Sequence, residues 1–161
     1  MVSLGLISYY KTMNYIGSKQ MLRDFITNAA MSFAGDLKDK NVCDLFCGTG
    51  SVAAAFVPLA KHVIANDVEP YSHIWVKHLL VGADETLYER YLERLALTKT
   101  QQEGIVCELF SEYGEEARRY FTKENALKID SLRQELTSWE QEEVCDIDAH
   151  NACLASLLDA T

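Results

Sequence analysis

Asp67 is the residue of this chain whose type and setting are best suited to hold a ligand. It closes an apolar run, His62-Val63-Ile64-Ala65-Asn66, and stands about 20 residues beyond a glycine turn, Cys47-Gly48-Thr49-Gly50-Ser51. A carboxylate in that position accepts both hydroxyls of a ribose. Gly48 and Gly50 permit backbone angles closed to other residues, and they let main-chain amides approach a ligand closely. With Ala53 they satisfy the Gly-x-Gly-x-x-Gly/Ala spacing of nucleotide-binding turns. A strand–helix turn with no ligand satisfies the same spacing, so the glycines alone leave both readings open.

Strand, turn, helix, strand, acid is the order such a site needs. An apolar run at 42–46 precedes the turn, small residues at 52–56 form the helix, and a second run at 63–66 leads to the acid. Both runs are almost continuously apolar, which predicts parallel strands buried on both faces. Upstream, Ser18 suits the cap of a helix through Phe33, with Met21, Leu22, Phe25, Ile26 and Ala29 on one face and Gly35 as its stop. Downstream, Pro70 suits the first turn of a helix running towards Gly82, with Trp75 as a packing residue. His73 and His78 are off the i, i+4 spacing of a helical metal pair, so no metal is assigned.

Beyond this unit the chain reads as helical and acidic. Residues 86–97 are amphipathic, with Leu87, Tyr91 and Leu95 spaced by four, and residues 99–104 make a polar break. A long helical pattern spans 115–139, with Tyr120, Ala126, Ile129, Leu132, Leu136 and Trp139 as its buried face. A short apolar helix at 152–158 follows. Residues 1–83 hold 7 Lys/Arg and 6 Asp/Glu, a balance of +1; residues 84–161 hold 8 and 18, a balance of −10. Binding to a phosphate backbone needs clustered Lys and Arg, and no such cluster occurs. The 161 residues suit one domain with 48% apolar and 24% charged content, an ordinary globular composition. Five cysteines without Cys-x-x-Cys spacing read as reduced thiols. No apolar stretch approaches membrane-spanning length and no secretory leader is expected, so the expected compartment is cytoplasmic.

Three stretches carry a family resemblance. Asp44-Leu45-Phe46-Cys47-Gly48-Thr49-Gly50-Ser51-Val52 resembles the S-adenosyl-L-methionine (AdoMet) motif of DNA adenine-N6 methyltransferases of the Dam-like (D12) class. Met13-Asn14-Tyr15-Ile16-Gly17-Ser18-Lys19 is similar to the N-terminal AdoMet motif of that class, and Ala65-Asn66-Asp67 to its acid-bearing strand end. All three keep the family's order and spacing. Residues 120–126 with Ile129, Asp130 and Arg133 resemble the insertion of longer D12 enzymes.

The resemblance implies an α/β fold: an incomplete Rossmann-like, AdoMet-dependent methyltransferase fold, represented by its first two parallel strands and carrying a helical insertion. Residues 1–83 are then the AdoMet-binding part, and 84–161 the acidic helical insertion and return helix. Phe46, Gly48 and Gly50 cradle AdoMet, and Asp67 binds its ribose. Tyr15 packs beside the cofactor, and Lys19 reaches its carboxylate. Asp44 supports the turn or the methionine amine. Without the resemblance, Tyr15 reads as a core aromatic and Lys19 as a solvated helix charge.

The family's catalytic motif, Asp-Pro-Pro-Tyr or a close variant, holds the amino group of a flipped adenine. The prolines here, Pro58 and Pro70, are neither adjacent nor preceded by Asp or Asn, so the motif does not occur and no catalytic residue is assigned. Two strands alone would leave a parallel sheet with open edges. The expectation is therefore an AdoMet-binding half, completed by a second polypeptide that carries the target-recognition region and the Asp-Pro-Pro-Tyr motif. That polypeptide would make most contacts with double-stranded DNA. A truncated gene remnant fits the same residues. A non-catalytic binding module and, with less support, a dinucleotide-binding oxidoreductase fragment are the competing readings.

Overall fold

The computed structural model describes residues 19–100, 103–112, 118–141 and 145–160. The chain divides into two compact units that meet in sequence at Gly82 and Ala83. Tyr15 and the proposed Ser18 cap lie outside the described residues.

In the first unit, β1 (Asn41–Asp44) and β2 (His62–Ala65) pair in parallel, with Val42 opposite Val63 and Cys43 opposite Ile64. They are joined by α2 (Ser51–Phe56), which packs against both strands. The pairing runs beyond the strands, because Asn66 donates its amide to Asp44 and accepts the amide of Cys47, both at 2.9 Å. Leu45 and Phe46, expected to end the first strand, belong instead to the turn. Burial also differs from the expectation of strands covered on both faces. Val42, Asp44, Val63 and Ala65 are half-buried on the side of α2, whereas Asn41, Cys43, His62 and Ile64 are exposed. Successive strand residues point to opposite faces, and α2 covers only one of them.

Upstream, a 3₁₀ turn at Gln20–Leu22 leads into α1 (Arg23–Ala34), which ends at Gly35 in a left-handed conformation. The apolar face expected of this helix is not the packed one. Met21, Phe25 and Phe33 are 94%, 72% and 96% exposed, and Leu22 and Ala29 are exposed as well. The covered side is Arg23, Ile26, Thr27, Ala30, Met31 and Ala34, and the helix packs on α2. Small residues at Thr27 and Ala30 let two helices approach in a way that phenylalanine does not. Downstream, α3 (Pro70–Leu80) starts on its proline and buries Ser72, Trp75 and Val76.

The second unit is helical: α4 (Glu85–Ala96), α5 (Ile105–Phe110), α6 (Lys123–Trp139) and α7 (Ile147–Asp159). Side-chain caps set three of the starts. Asp84 accepts the amide of Leu87, Thr122 that of Asn125, and Asp146 those of Asp148 and Ala149. The Thr122 cap sets the start of α6 at Lys123, and the described residues before it, 118–122, are not helical. Tyr120 falls outside the helix and is 72% exposed, and the backbone of Arg119 is left-handed. The short α5 was hidden because Asp130, on α6, supplies its cap. That carboxylate is 2% exposed and accepts the amides of Gly104 (3.0 Å), Val106 (3.1 Å) and Cys107 (2.7 Å).

The core of this unit is Leu136, Trp139 and Cys153, surrounded by Tyr88, Tyr91, Leu95, Leu154 and Leu157. The indole of Trp139 donates to Glu135 at 2.7 Å, meets Tyr91 edge-on at 5.1 Å and lies under Arg94, whose guanidinium also pairs with Glu135 at 3.4 Å. Burial pushes the Cys153 thiol up to about 12, so it packs as an inert apolar group. Leu136→Ala is expected to cost about 2–5 kcal/mol of stability, the range for truncating a fully buried leucine, as read from urea unfolding.

Candidate functional site

The site is built where both strands end. Gly48 and Gly50 have φ of 51° and 74°, values at which a side chain is strained. Gly50 caps α2, and a Cβ added there would stand 2.9 Å from Val76 Cγ2 on α3. The turn is therefore tight on two counts, its dihedral angle and its contact with α3.

Asp67 holds the turn to the end of β2. Its Oδ2 accepts the amide of Gly48 at 2.7 Å, and its Oδ1 accepts that of Glu69 at 3.1 Å. Each oxygen has a further lone pair, so the carboxylate retains two adjacent acceptors suited to a vicinal diol. The Gly48 amide first, and the Glu69 amide second, hold the carboxyl below the usual carboxylate range. The same end of the strand pair is further secured by Asn66, whose side-chain amide donates to the Leu45 carbonyl at 2.9 Å.

The structure brings Asp44, Phe46, Gly48, Gly50 and Asp67 to this one end of the sheet. Asp44 is the half-buried last residue of β1, and its carbonyl is used in the ladder. Phe46 is 88% exposed on the turn. Lys19 is exposed just before the 3₁₀ turn, and its carbonyl accepts the Leu22 amide.

Two further residues belong here that the sequence did not single out. Ser72 is fully buried in the first turns of α3 and donates its hydroxyl to the Gly48 carbonyl, with Cys47 Sγ at 3.8 Å. Its one signal was a small polar residue shortly after a helix-starting proline. Val68, next to Asp67, is 89% exposed and places a second apolar surface beside the carboxylate. Cys47 is half-buried, and burial raises its thiol above its ordinary value, against a smaller lowering by the Ser72 hydroxyl. A raised thiol is a poor nucleophile, which suits a packing role in the turn.

Parallel strands joined through a glycine turn, with an acid at the second strand end, define a partial methyltransferase-type α/β fold. Comparison with known proteins names the class. Residues 15–160 match the model of the D12 class N6 adenine-specific DNA methyltransferases, and the chain belongs to that family. It is 34% identical over 148 residues to the Type II methyltransferase M.NlaIII of Neisseria lactamica, covering 91% of this chain and 44% of that protein. It is 31% identical over 147 residues to the Type II methyltransferase M.CviAII of Paramecium bursaria Chlorella virus 1, covering 89% and 43%. With the modification methylase LlaI of Lactococcus lactis it shares 30% over 158 residues, covering 92% and 25%. The chain thus spans less than half the length of these relatives. No solved structure matches it.

Gly50→Ala is expected to lower stability by at least about 1–2 kcal/mol from the dihedral alone, measured by chemical unfolding. A pH series supplies a second check. Because the folded-state pKa of Asp67 is depressed, its contribution to stability is complete above the unfolded value of about 3.9 and disappears as pH falls through the lower folded value. The stability advantage of the wild type over Asp67→Asn should be flat above that point and shrink below it.

Proposed function

We propose that this chain is the AdoMet-binding part of a site-specific DNA methyltransferase that methylates adenine N6, working in a restriction–modification system in the cytoplasm. The observation that carries this reading is the Asp67 carboxylate, tied to the Gly48 amide at 2.7 Å and retaining acceptor capacity beside two exposed apolar side chains, Phe46 and Val68. Family membership supplies the class of cofactor.

In this reading Asp67 accepts the ribose hydroxyls, while Phe46 and Val68 offer apolar surface to the adenine ring. Gly48 and Gly50 bring main chain close to the methionine portion, with Asp44 behind them and Tyr15 and Lys19 closing that end. AdoMet supplies an electrophilic methyl group. This chain's residues orient it; they move no proton and form no covalent bond. Residues 1–83 act as the cofactor part and 84–161 as the acidic helical insertion.

The base-holding Asp-Pro-Pro-Tyr motif and the target-recognition region come from a second polypeptide, which also meets most of the double-stranded DNA. The net charge of −9 and the lack of clustered Lys and Arg support that division of labour.

Methyl transfer from labelled AdoMet to unmethylated DNA tests the reading, with this chain alone and with a completing polypeptide. Incorporation into adenine only in the mixture is the expected result; incorporation in neither, without AdoMet binding, overturns it. Asp67→Ala is expected to weaken AdoMet binding about thirtyfold, the scale for losing hydrogen bonds to a charged acceptor, as measured by calorimetric titration.

A further inference from the structure

Ser72 directs its hydroxyl differently from three other helical serines of this chain. Ser131, Ser138 and Ser156 return theirs to a carbonyl three or four residues back, at Leu127, Glu135 and Ala152. Ser72, fully buried in the first turns of α3, donates instead to the carbonyl of Gly48, 24 positions earlier. Packing does not hold that carbonyl. A Cβ built on Gly48 meets nothing within 4 Å, whereas one built on Gly50 strikes Val76. Glycine also rotates about its own backbone at little steric cost. Hydrogen bonds therefore set the turn at Gly48: Asp67 accepts its amide and Ser72 donates to its carbonyl.

The peptide between Gly48 and Thr49 has a second polar end. In a planar trans peptide the C=O and the N–H point in opposite directions, so a Gly48 carbonyl turned to α3 turns the Thr49 amide away from α3. Thr49 is 8% exposed and its hydroxyl meets that of Ser51 at 2.9 Å. Among the described residues its amide has no acceptor, while its neighbours are committed: Cys47 to the Asn66 carbonyl, Gly48 to Asp67 and Gly50 to the Cys47 carbonyl. A main-chain donor in so buried a residue is left for a ligand or water to satisfy.

We infer that Ser72 is a positioning residue for the cofactor: by holding the Gly48 carbonyl it keeps the Thr49 amide turned to the methionine portion of AdoMet. The inference rests on the AdoMet-binding reading above and adds the contact that fixes the glycine turn in its binding form. Ser72 itself touches no part of the ligand. The acceptor in that portion is the carboxylate, since the ammonium and the sulfonium are cationic. Removing the hydroxyl leaves the bond between Asp67 and Gly48 in place, so the ribose end is retained. The peptide between Gly48 and Thr49 is then free to rotate, and the ligand loses a fixed donor.

The test is calorimetric titration of AdoMet into this chain and its Ser72→Ala and Ser72→Cys variants, with the Thr49 amide resonance and urea unfolding followed in each. Cysteine keeps the volume of the side chain and supplies only a weak donor. Affinity should fall about tenfold in both variants, the scale of one hydrogen bond to a charged group. In the wild type the Thr49 amide proton should move downfield and exchange more slowly once AdoMet is bound. At saturating AdoMet that response should shrink in both variants, a change that a merely structural loss would not produce. Unchanged affinity, or weakened affinity with the Thr49 response intact at saturation, overturns the role of Ser72 and leaves the proposed function standing. A wild-type chain that binds AdoMet with its Thr49 amide indifferent to it does the same. A wild-type chain that binds no AdoMet overturns both.

Discussion

The hydrogen bond from the Gly48 amide to the Asp67 carboxylate is the interaction on which the first unit depends. It joins the loop after β1 to the loop after β2, so the ends of the two strands are set against each other by one charge-assisted contact. Gly48 is held from both sides, because its carbonyl receives the Ser72 hydroxyl from α3. Gly50, two residues on, has no room for a side chain against Val76. Strand ends, turn and α3 are therefore tied to one another by direct contacts.

The second unit is organised around a different constraint, the placing of two charged or polar groups inside a helical core. Asp130 is buried because three amides at the start of α5 need an acceptor, and a carboxylate accepts all three. Trp139 is buried with its indole N–H satisfied by Glu135, and that carboxylate is in turn neutralised by Arg94 across its ring. Removing Asp130 leaves three amides of the α5 start without their acceptor, and removing Glu135 leaves the buried indole N–H without its own, which couples α6 to α5 and, through Arg94, to α4. The excess of acid in this half lies mainly on the remaining exposed faces.

Several elements were legible from residue type and spacing. The glycine turn, Asp67, the proline start of α3 and the fourfold spacing in α4 each act through local geometry, and local geometry is what a sequence pattern reports. The failures share a cause. The stripe Met21, Phe25 and Phe33 is apolar at helical spacing, yet the helix turns its smaller side, with Thr27 and Ala30, to α2. The start of α6 is set at Lys123 by a threonine cap, and α5 went unseen because its cap comes from a residue more than 20 positions away.

What the sequence determined by itself was the class of the protein and the build of the turn at the strand ends, since a glycine with positive φ and an acid at a strand end are requirements that residue identity alone can meet. What only the tertiary structure decided was which apolar surfaces are covered. Alternation along β1 and β2 is a property of any strand, but the exposure of Cys43 and Ile64 and the half-burial of Val63 and Ala65 depend on where α2 lies. The hold of Ser72 on Gly48 likewise needs α3 folded back across the turn. Burial arises between segments distant in the chain, and residue order alone does not encode their distance.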